Sequence, residues 1–216
     1  MEWTEHAIWW HLYPLGFTGA PVHGWDGESQ SDLHRLGRIE NWLDYALELG
    51  ASGIALGPIF ESEKHGYDTV DYYRVDGRLG TDEDIDSLIA AAHSRGLKVM
   101  FDGVFNHVAQ SFPKFRQALE EGPDSEAAGW FHLDWSGGEP THRNFEGHDE
   151  LVALNHESPH VQQFVVDVLS HWLGRGVDAW RLDAAYAVSP RFWAAVLPKV
   201  REKHSEAYFL GEVIHG

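Results

Sequence analysis

The sequence predicts an α/β protein built on a parallel sheet, from three observations. Strand-like and helix-like segments alternate along the chain, which implies parallel strands joined by right-handed helical crossovers. The strand-like runs are nearly all apolar, as strands covered on both faces are. The ionisable residues that interrupt them sit at their C-terminal ends, where parallel α/β folds carry their sites.

Ala7 to Tyr13 reads as the first strand, closed by Pro14. Ile39, Trp42, Leu43, Ala46 and Leu47 then mark one face of a helix that Gly50 ends. Gly53 to Gly57 is a short second strand. Thr81-Asp82-Glu83-Asp84 is a helix start, with a capping residue and acids in the first turn. Ile85, Leu88, Ile89 and Ala92 form that helix's apolar stripe, and Gly96 ends it. Leu97 to Phe101 is the third strand. Ser158-Pro159 opens the next helix with a cap and a proline at the first position. Val161, Phe164, Val165, Val168, Leu169 and Trp172 line its buried side. Val177 to Leu182 is the fourth strand. Ser189-Pro190 opens a helix with Phe192, Trp193, Val196 and Leu197 inward, which Pro198 is expected to kink. Ala207 to Gly211 is the fifth strand.

A doubly wound open sheet and an eight-fold barrel both fit this pattern. The first strand is not followed by Gly-x-Gly-x-x-Gly, which weighs against the dinucleotide-binding version of the former. From Val108 to Glu157 the chain is rich in Gly, Pro, Asp and His and has little periodicity. A connection that long is usually functional or a small subdomain.

The 216 residues suffice for one domain with a sizeable core, and 43% hydrophobic with 23% charged residues is an ordinary globular balance. The formal net charge of −18 repels phosphate backbones and anionic lipids, so neither nucleic acid nor a membrane surface is an expected partner. A neutral substrate is compatible with it. Cysteine is absent, which excludes disulfides and thiolate chemistry. No basic start with an apolar run marks a signal peptide, and no apolar stretch reaches a membrane span. A soluble, cytoplasmic protein is the expectation. Ten tryptophans in a chain with 13% aromatic residues serve core packing or form platforms for sugar rings.

The polar strand ends carry the chemistry. They are Asp102 to His107 after the third strand, Arg181-Leu182-Asp183 on the fourth and Gly211-Glu212 on the fifth. Two carboxylates about 5–5.5 Å apart split a glycosidic bond with retention, one as nucleophile and one as acid then base. Asp183 and Glu212 come from strands expected to be neighbours, which lie about 4.8 Å apart. Arg181, two residues before Asp183, points to the same side and holds the carboxylate ionised. His107 can donate to a sugar hydroxyl, and Tyr67 in His65-Gly66-Tyr67-Asp68 offers a ring for stacking.

These segments resemble those of the α-amylase family of glycoside hydrolases and transglycosidases. Asp102 to His107 is similar to its Asp-x-x-x-Asn-His motif, Gly176 to Ala184 to its fourth-strand motif, and Gly211-Glu212-Val213 to its fifth-strand motif. Gly53 to Pro58 and Leu151 to Asn155 resemble two further family segments, and His65 to Tyr73 looks closest to the neopullulanase and cyclomaltodextrinase branch. The resemblance implies a (β/α)8 barrel over residues 1–107 and 158–216, with a small domain B at 108–157 after the third strand. It implies Asp183 as nucleophile, Glu212 as acid/base, Arg181 and Asp102 as an ion pair at the floor, and Tyr67 and His107 on the sugar. The substrate would be an α-glucan oligosaccharide, with no cofactor required. Asn106 resembles a position that often binds calcium. Ala184-Ala185-Tyr186-Ala187 departs from the branch's Asn-Glu and from the Lys-His of many amylases, on the leaving-group side.

The family's third carboxylate, in an Asn-His-Asp motif on the seventh strand, and its C-terminal β domain are absent from this sequence. About five strands of a partial TIM barrel are therefore expected. Such a chain should be inactive alone and should self-associate or require a complementing C-terminal half. The alternatives are a non-catalytic amylase-like remnant or interaction module, and a doubly wound sheet binding a phosphorylated ligand. Retention of both Asp183 and Glu212 favours the enzyme.

Overall fold

The structure is a computed structural model that describes residues 2–23 and 34–214. Met1, the first residue of the N-terminal stretch read as lacking a signal peptide, lies outside the described residues.

A five-stranded parallel sheet forms the centre: β1 (Trp9–Leu12), β2 (Gly53–Leu56), β3 (Lys98–Val104), β4 (Ala179–Asp183) and β5 (Tyr208–Gly211). Each strand pairs with the next in chain order. A doubly wound sheet reverses its order about the first strand. This sheet runs on in one direction, as consecutive strands of a (β/α)8 barrel do. Its curvature is visible at the N-terminal ends of the strands. The Trp3 ring packs edge-on against Trp9 of β1 at 5.9 Å and Tyr208 of β5 at 5.8 Å. Four flat inter-strand gaps would hold those strands about 19 Å apart, so the sheet must close around Trp3.

Alternation along the strands sorts the side chains. Ile54, Leu56, Val99, Phe101, Trp180 and Leu182 join the large buried core. Ala55, Met100 and Ala179 face the other way and pack with Trp3, Trp9 and Tyr208 in a separate cluster. That second face is the barrel interior, and a two-residue step from it along β3, β4 and β5 leads to the mouth.

The helices are α1 (Pro14–Thr18), α2 (Gly37–Glu40), α3 (Leu43–Glu48), α4 (Asp82–Ser94), α5 (Pro113–Glu121), α6 (Pro159–Gly174) and α7 (Pro190–Arg201). The single helix expected over Ile39 to Leu47 is two short ones. Ile39, Leu43 and Ala46 are buried, whereas Trp42 and Leu47 are exposed. α4 starts as expected. Thr81 Oγ1 accepts the Asp84 N–H and Asp84 accepts the Thr81 N–H, so each end satisfies the other's orphan donor. Ser158 makes no side-chain cap on α6, while Ser189 accepts the Arg191 N–H of α7. α7 continues through Pro198 to Arg201.

Three small antiparallel sheets decorate the central one among the described residues, one of them the pairing of Leu133–Asp134 with Thr141–His142. Phe60–Ser62 pairs with Thr69–Val75, a hairpin absent from the sequence reading. In the long connection after β3, His107–Ala109 and Asn144–Phe145 flank His148–Ala153, and α5 lies within the same stretch. Among the described residues no helix is long and apolar enough to cross a membrane.

Candidate active site

The inner-face period brings four ionisable residues together at the C-terminal ends of the strands. Met100 and Asp102 on β3, Ala179, Arg181 and Asp183 on β4, and Tyr208, Leu210 and Glu212 along β5 and just beyond it each follow one another at steps of two. Strand pairing sets Arg181 directly opposite Asp102. Its Nη1 reaches both Asp102 oxygens, at 2.7 and 2.6 Å, and Asp183 Oδ1 at 3.1 Å. Its Nη2 lies 3.0 Å from Glu212 Oε1. One guanidinium therefore holds three carboxylates, as a planar fork of donors allows. Glu212 Oε2 also accepts the Ala184 N–H at 2.8 Å, which ties the fifth strand's end to the turn after Asp183.

Three carboxylates around one cation cannot all ionise cheaply in a buried place. Burial raises the Asp102 carboxyl to about 7, with Asp183 and Glu212 adding to the rise and Arg181 opposing it. Burial likewise raises Asp183 to about 6, against Arg181 and with the help of Glu212. For Arg181, burial works against the charge, but the carboxylates outweigh it and raise its pKa. Asp102 and Asp183 thus titrate as a coupled pair near neutrality, and Asp183 is ionised above about pH 6.

Tyr67 is half-buried over this cluster. Burial, then the charge of Asp102, raises its hydroxyl pKa well above the ordinary value. Its loop is anchored from below. Tyr13 donates its hydroxyl proton to the His65 carbonyl at 2.8 Å. Asp68 Oδ1 accepts the His65 and Gly66 N–H groups at 3.0 and 3.1 Å. Buried Arg78 pairs with buried Asp76 and donates to the Lys64 and Pro21 carbonyls. His107 belongs to the same support. Its Nε2 donates to the Tyr67 carbonyl at 3.1 Å, and its Nδ1 accepts the Asn106 amide at 3.1 Å. Burial lowers its pKa to about 4, and its ring stacks on Phe145 at 4.7 Å. Both ring nitrogens thus have protein partners, and Nε2 ties His107 to the Tyr67 loop.

Asn106 borders a cavity of about 210 Å3, which Asn144, Glu146, His132, His156 and Arg143 also line. Calcium takes six to eight oxygens. Here the Asn144 side-chain oxygen accepts the Gly147 N–H, and Glu146 accepts the Tyr186 hydroxyl. Among the described residues no group of three or more His, Cys, Asp or Glu could hold a metal ion. The side chains here supply little negative charge for calcium, and the reading of Asn106 as a metal ligand stays an expectation.

Two features had no sequence signal. Ala184, next to Asp183, has φ 46°, a left-handed conformation that costs a residue with a Cβ about 1–2 kcal/mol. It aims the N–H that Glu212 accepts. Tyr186 bonds Glu146 of the long connection at 3.0 Å, so the divergent turn after β4 reaches across to the insertion.

A family profile described as "Alpha amylase, catalytic domain" matches residues 12–215. The chain is 31% identical over 231 residues to a cyclomaltodextrinase of Geobacillus thermopakistaniensis, covering 99% of this chain and 39% of that protein. It is 31% identical over 229 residues to an intracellular maltogenic amylase of Bacillus subtilis, with the same coverages of 99% and 39%. The ligand-free cyclic α-maltosyl-(1→6)-maltose hydrolase of Arthrobacter globiformis superposes with a TM-score of 0.85 at 28% identity, over 99% of this chain and 52% of that one. The chain spans about two fifths of the length of these curated relatives.

Proposed function

The chain belongs to the α-amylase family, and from that premise we propose that it carries the catalytic strands of a retaining glycosidase acting on α-glucosidic bonds of maltodextrin-like substrates. The observation that supports this most is the single guanidinium of Arg181 holding Asp102, Asp183 and Glu212 at the mouth of the sheet. A binding module has no need of two carboxylates from adjacent strand ends arranged in this way.

In this reading Asp183, ionised, attacks the anomeric carbon and displaces the glycosidic oxygen, to which protonated Glu212 gives its proton. Glu212 then takes a proton from water, whose oxygen attacks the same carbon and frees Asp183. Arg181 steadies both carboxylates through each step, and Asp102 holds Arg181. Tyr67 offers its ring to the sugar, with His107 positioning it. The barrel proper comprises 1–107 and 158–216, and 108–157 forms the inserted domain B. Residues from the remaining strands, including the third carboxylate expected from the family, would complete the site, so the 216-residue chain is inactive alone. Self-association or a complementing C-terminal half would cover the open edges. A cytoplasmic location accords with the intracellular relative. The Tyr186–Glu146 bridge starts in the turn that departs from the family's pattern, and the balance of hydrolysis against transfer should turn on it.

The test is turnover of short maltodextrins by the full-length protein and by its Asp183→Asn variant. Cleavage with retained anomeric configuration, abolished by the substitution, is expected. Undiminished turnover by the variant would refute the assignment.

A further inference from the structure

The cavity beside Asn106 sits between the barrel and the insertion, where a divalent cation would cross-link the two. Its walls are polar but short of negative charge: Glu146 is the one carboxylate lining it, and that group is engaged with Tyr186. Arg143 brings a permanent positive charge instead. Its backbone is pinned on both sides, the N–H donating to the His132 carbonyl at 3.0 Å and the carbonyl accepting the Ala153 N–H at 2.9 Å. Its guanidinium has no acceptor among the described residues. His156 turns one ring nitrogen away, donating from Nε2 to the Phe105 carbonyl at 2.8 Å. Burial lowers the pKa of His132 and of His156, and Arg143 lowers both further. Its charge therefore acts on both imidazoles that line the cavity.

We propose that Arg143 is a built-in cation for this cavity: it occupies electrostatically the place a calcium ion would take, closes the site to divalent metals, and makes the junction between barrel and insertion independent of calcium. A doubly charged ion entering here would meet the guanidinium, with one carboxylate, already engaged by Tyr186, among the side chains lining the cavity. That is far short of the negative charge such an ion requires. The neutral imidazoles are poor ligands for a hard cation.

The test is thermal unfolding of the intact protein in chelator and across a calcium titration, a readout that does not pass through activity. A site filled at a hundredfold excess over its dissociation constant would raise the melting temperature by several degrees. For the wild type no calcium-dependent rise is expected at this site. Arg143→Glu, which replaces the repelling charge with an oxygen ligand, should gain a saturable rise, and Arg143→Gln a smaller one. A wild-type rise of several degrees that Asn106→Ala abolishes would overturn the proposal. A rise that survives Asn106→Ala arises at another site and leaves this cavity calcium-free, as expected. If Arg143→Glu and Arg143→Gln both fold and both stay indifferent to calcium, Arg143 is not what excludes the ion and the assignment fails.

Discussion

Arg181→Met tests whether the guanidinium acts through its charge on Asp183, the proposed nucleophile. At the observed 3.1 Å, a unit charge pair in an effective dielectric of about 20 interacts by about 5 kcal/mol. One pKa unit is about 1.4 kcal/mol, so the guanidinium is worth at most about four units of Asp183 acidity. Water entering the vacated volume restores part of this, and a rise of about two units, from about 6 to about 8, is the expected outcome. At pH 7 the ionised fraction of Asp183 would then fall from about nine tenths to about one tenth, with kcat/KM lower by about tenfold. The assay is the pH profile of kcat/KM on a maltodextrin for the full-length protein. Its acid limb should move upward and activity should recover in alkali. Arg181→Lys, which keeps the charge but loses the two-sided hold on Asp102, should leave the limb near its original position. A limb unmoved in Arg181→Met, or a loss of equal size at every pH, would show that Arg181 works by geometry and that the electrostatic reasoning is wrong.

Folding raises the Asp183 pKa, so the folded state holds a proton there that the unfolded state has released. Stability is therefore lost as pH rises from about 4 through about 6. Asp183→Asn should accordingly stabilise the protein at pH 8 by up to about 3 kcal/mol and leave it unchanged near pH 4. Melting curves at the two pH values check this, and a variant no more stable at pH 8 contradicts it. Arg78→Met leaves buried Asp76 unpaired and should cost about 3–5 kcal/mol in denaturant unfolding, with a KM for maltodextrin higher than the loss of kcat explains. The purified 216-residue chain should scatter light as an oligomer and fail to cleave maltodextrin. Ile8, Trp42, Tyr45 and Leu49 are exposed, and among the described residues nothing pairs with the outer edges of β1 and β5. A clean, active monomer would show that the open arc needs nothing more.

The strand-end residues were legible in the sequence because a parallel strand repeats every two positions. Once Arg181-Leu182-Asp183 is read as strand, both ionisable residues must share a face, and the motifs on β3 and β5 extend that face sideways. What could not be read depends on distant partners. Arg78 looks like a surface residue in Val75-Asp76-Gly77-Arg78, and only the approach of the Pro21 and Lys64 carbonyls makes it a buried anchor. His107 carries the expected motif, yet the tautomer that gives its Nε2 proton to Tyr67 is set by an amide and a carbonyl from other parts of the chain. Trp42 and Leu47 fit a helical stripe, but the helix breaks between Glu40 and Leu43, and the two residues turn to solvent.

At the opposite end of β4 from the chemistry, Asp178 accepts from Lys98 Nζ at 2.6 Å and the Val99 N–H at 3.0 Å, and bonds His93 Nε2 at 2.8 Å. Its own N–H donates to the Val99 carbonyl. These bonds lock the start of β4 against β3, and the lock decides which residue stands opposite Asp102. A slip of one position would turn Arg181 outward among the helices and push Trp180 into the mouth. Asp178 therefore behaves like the index pin of a ratchet, and a screen of the full-length protein for lost turnover is expected to score it beside Asp183 although it stands at the far end of the strand.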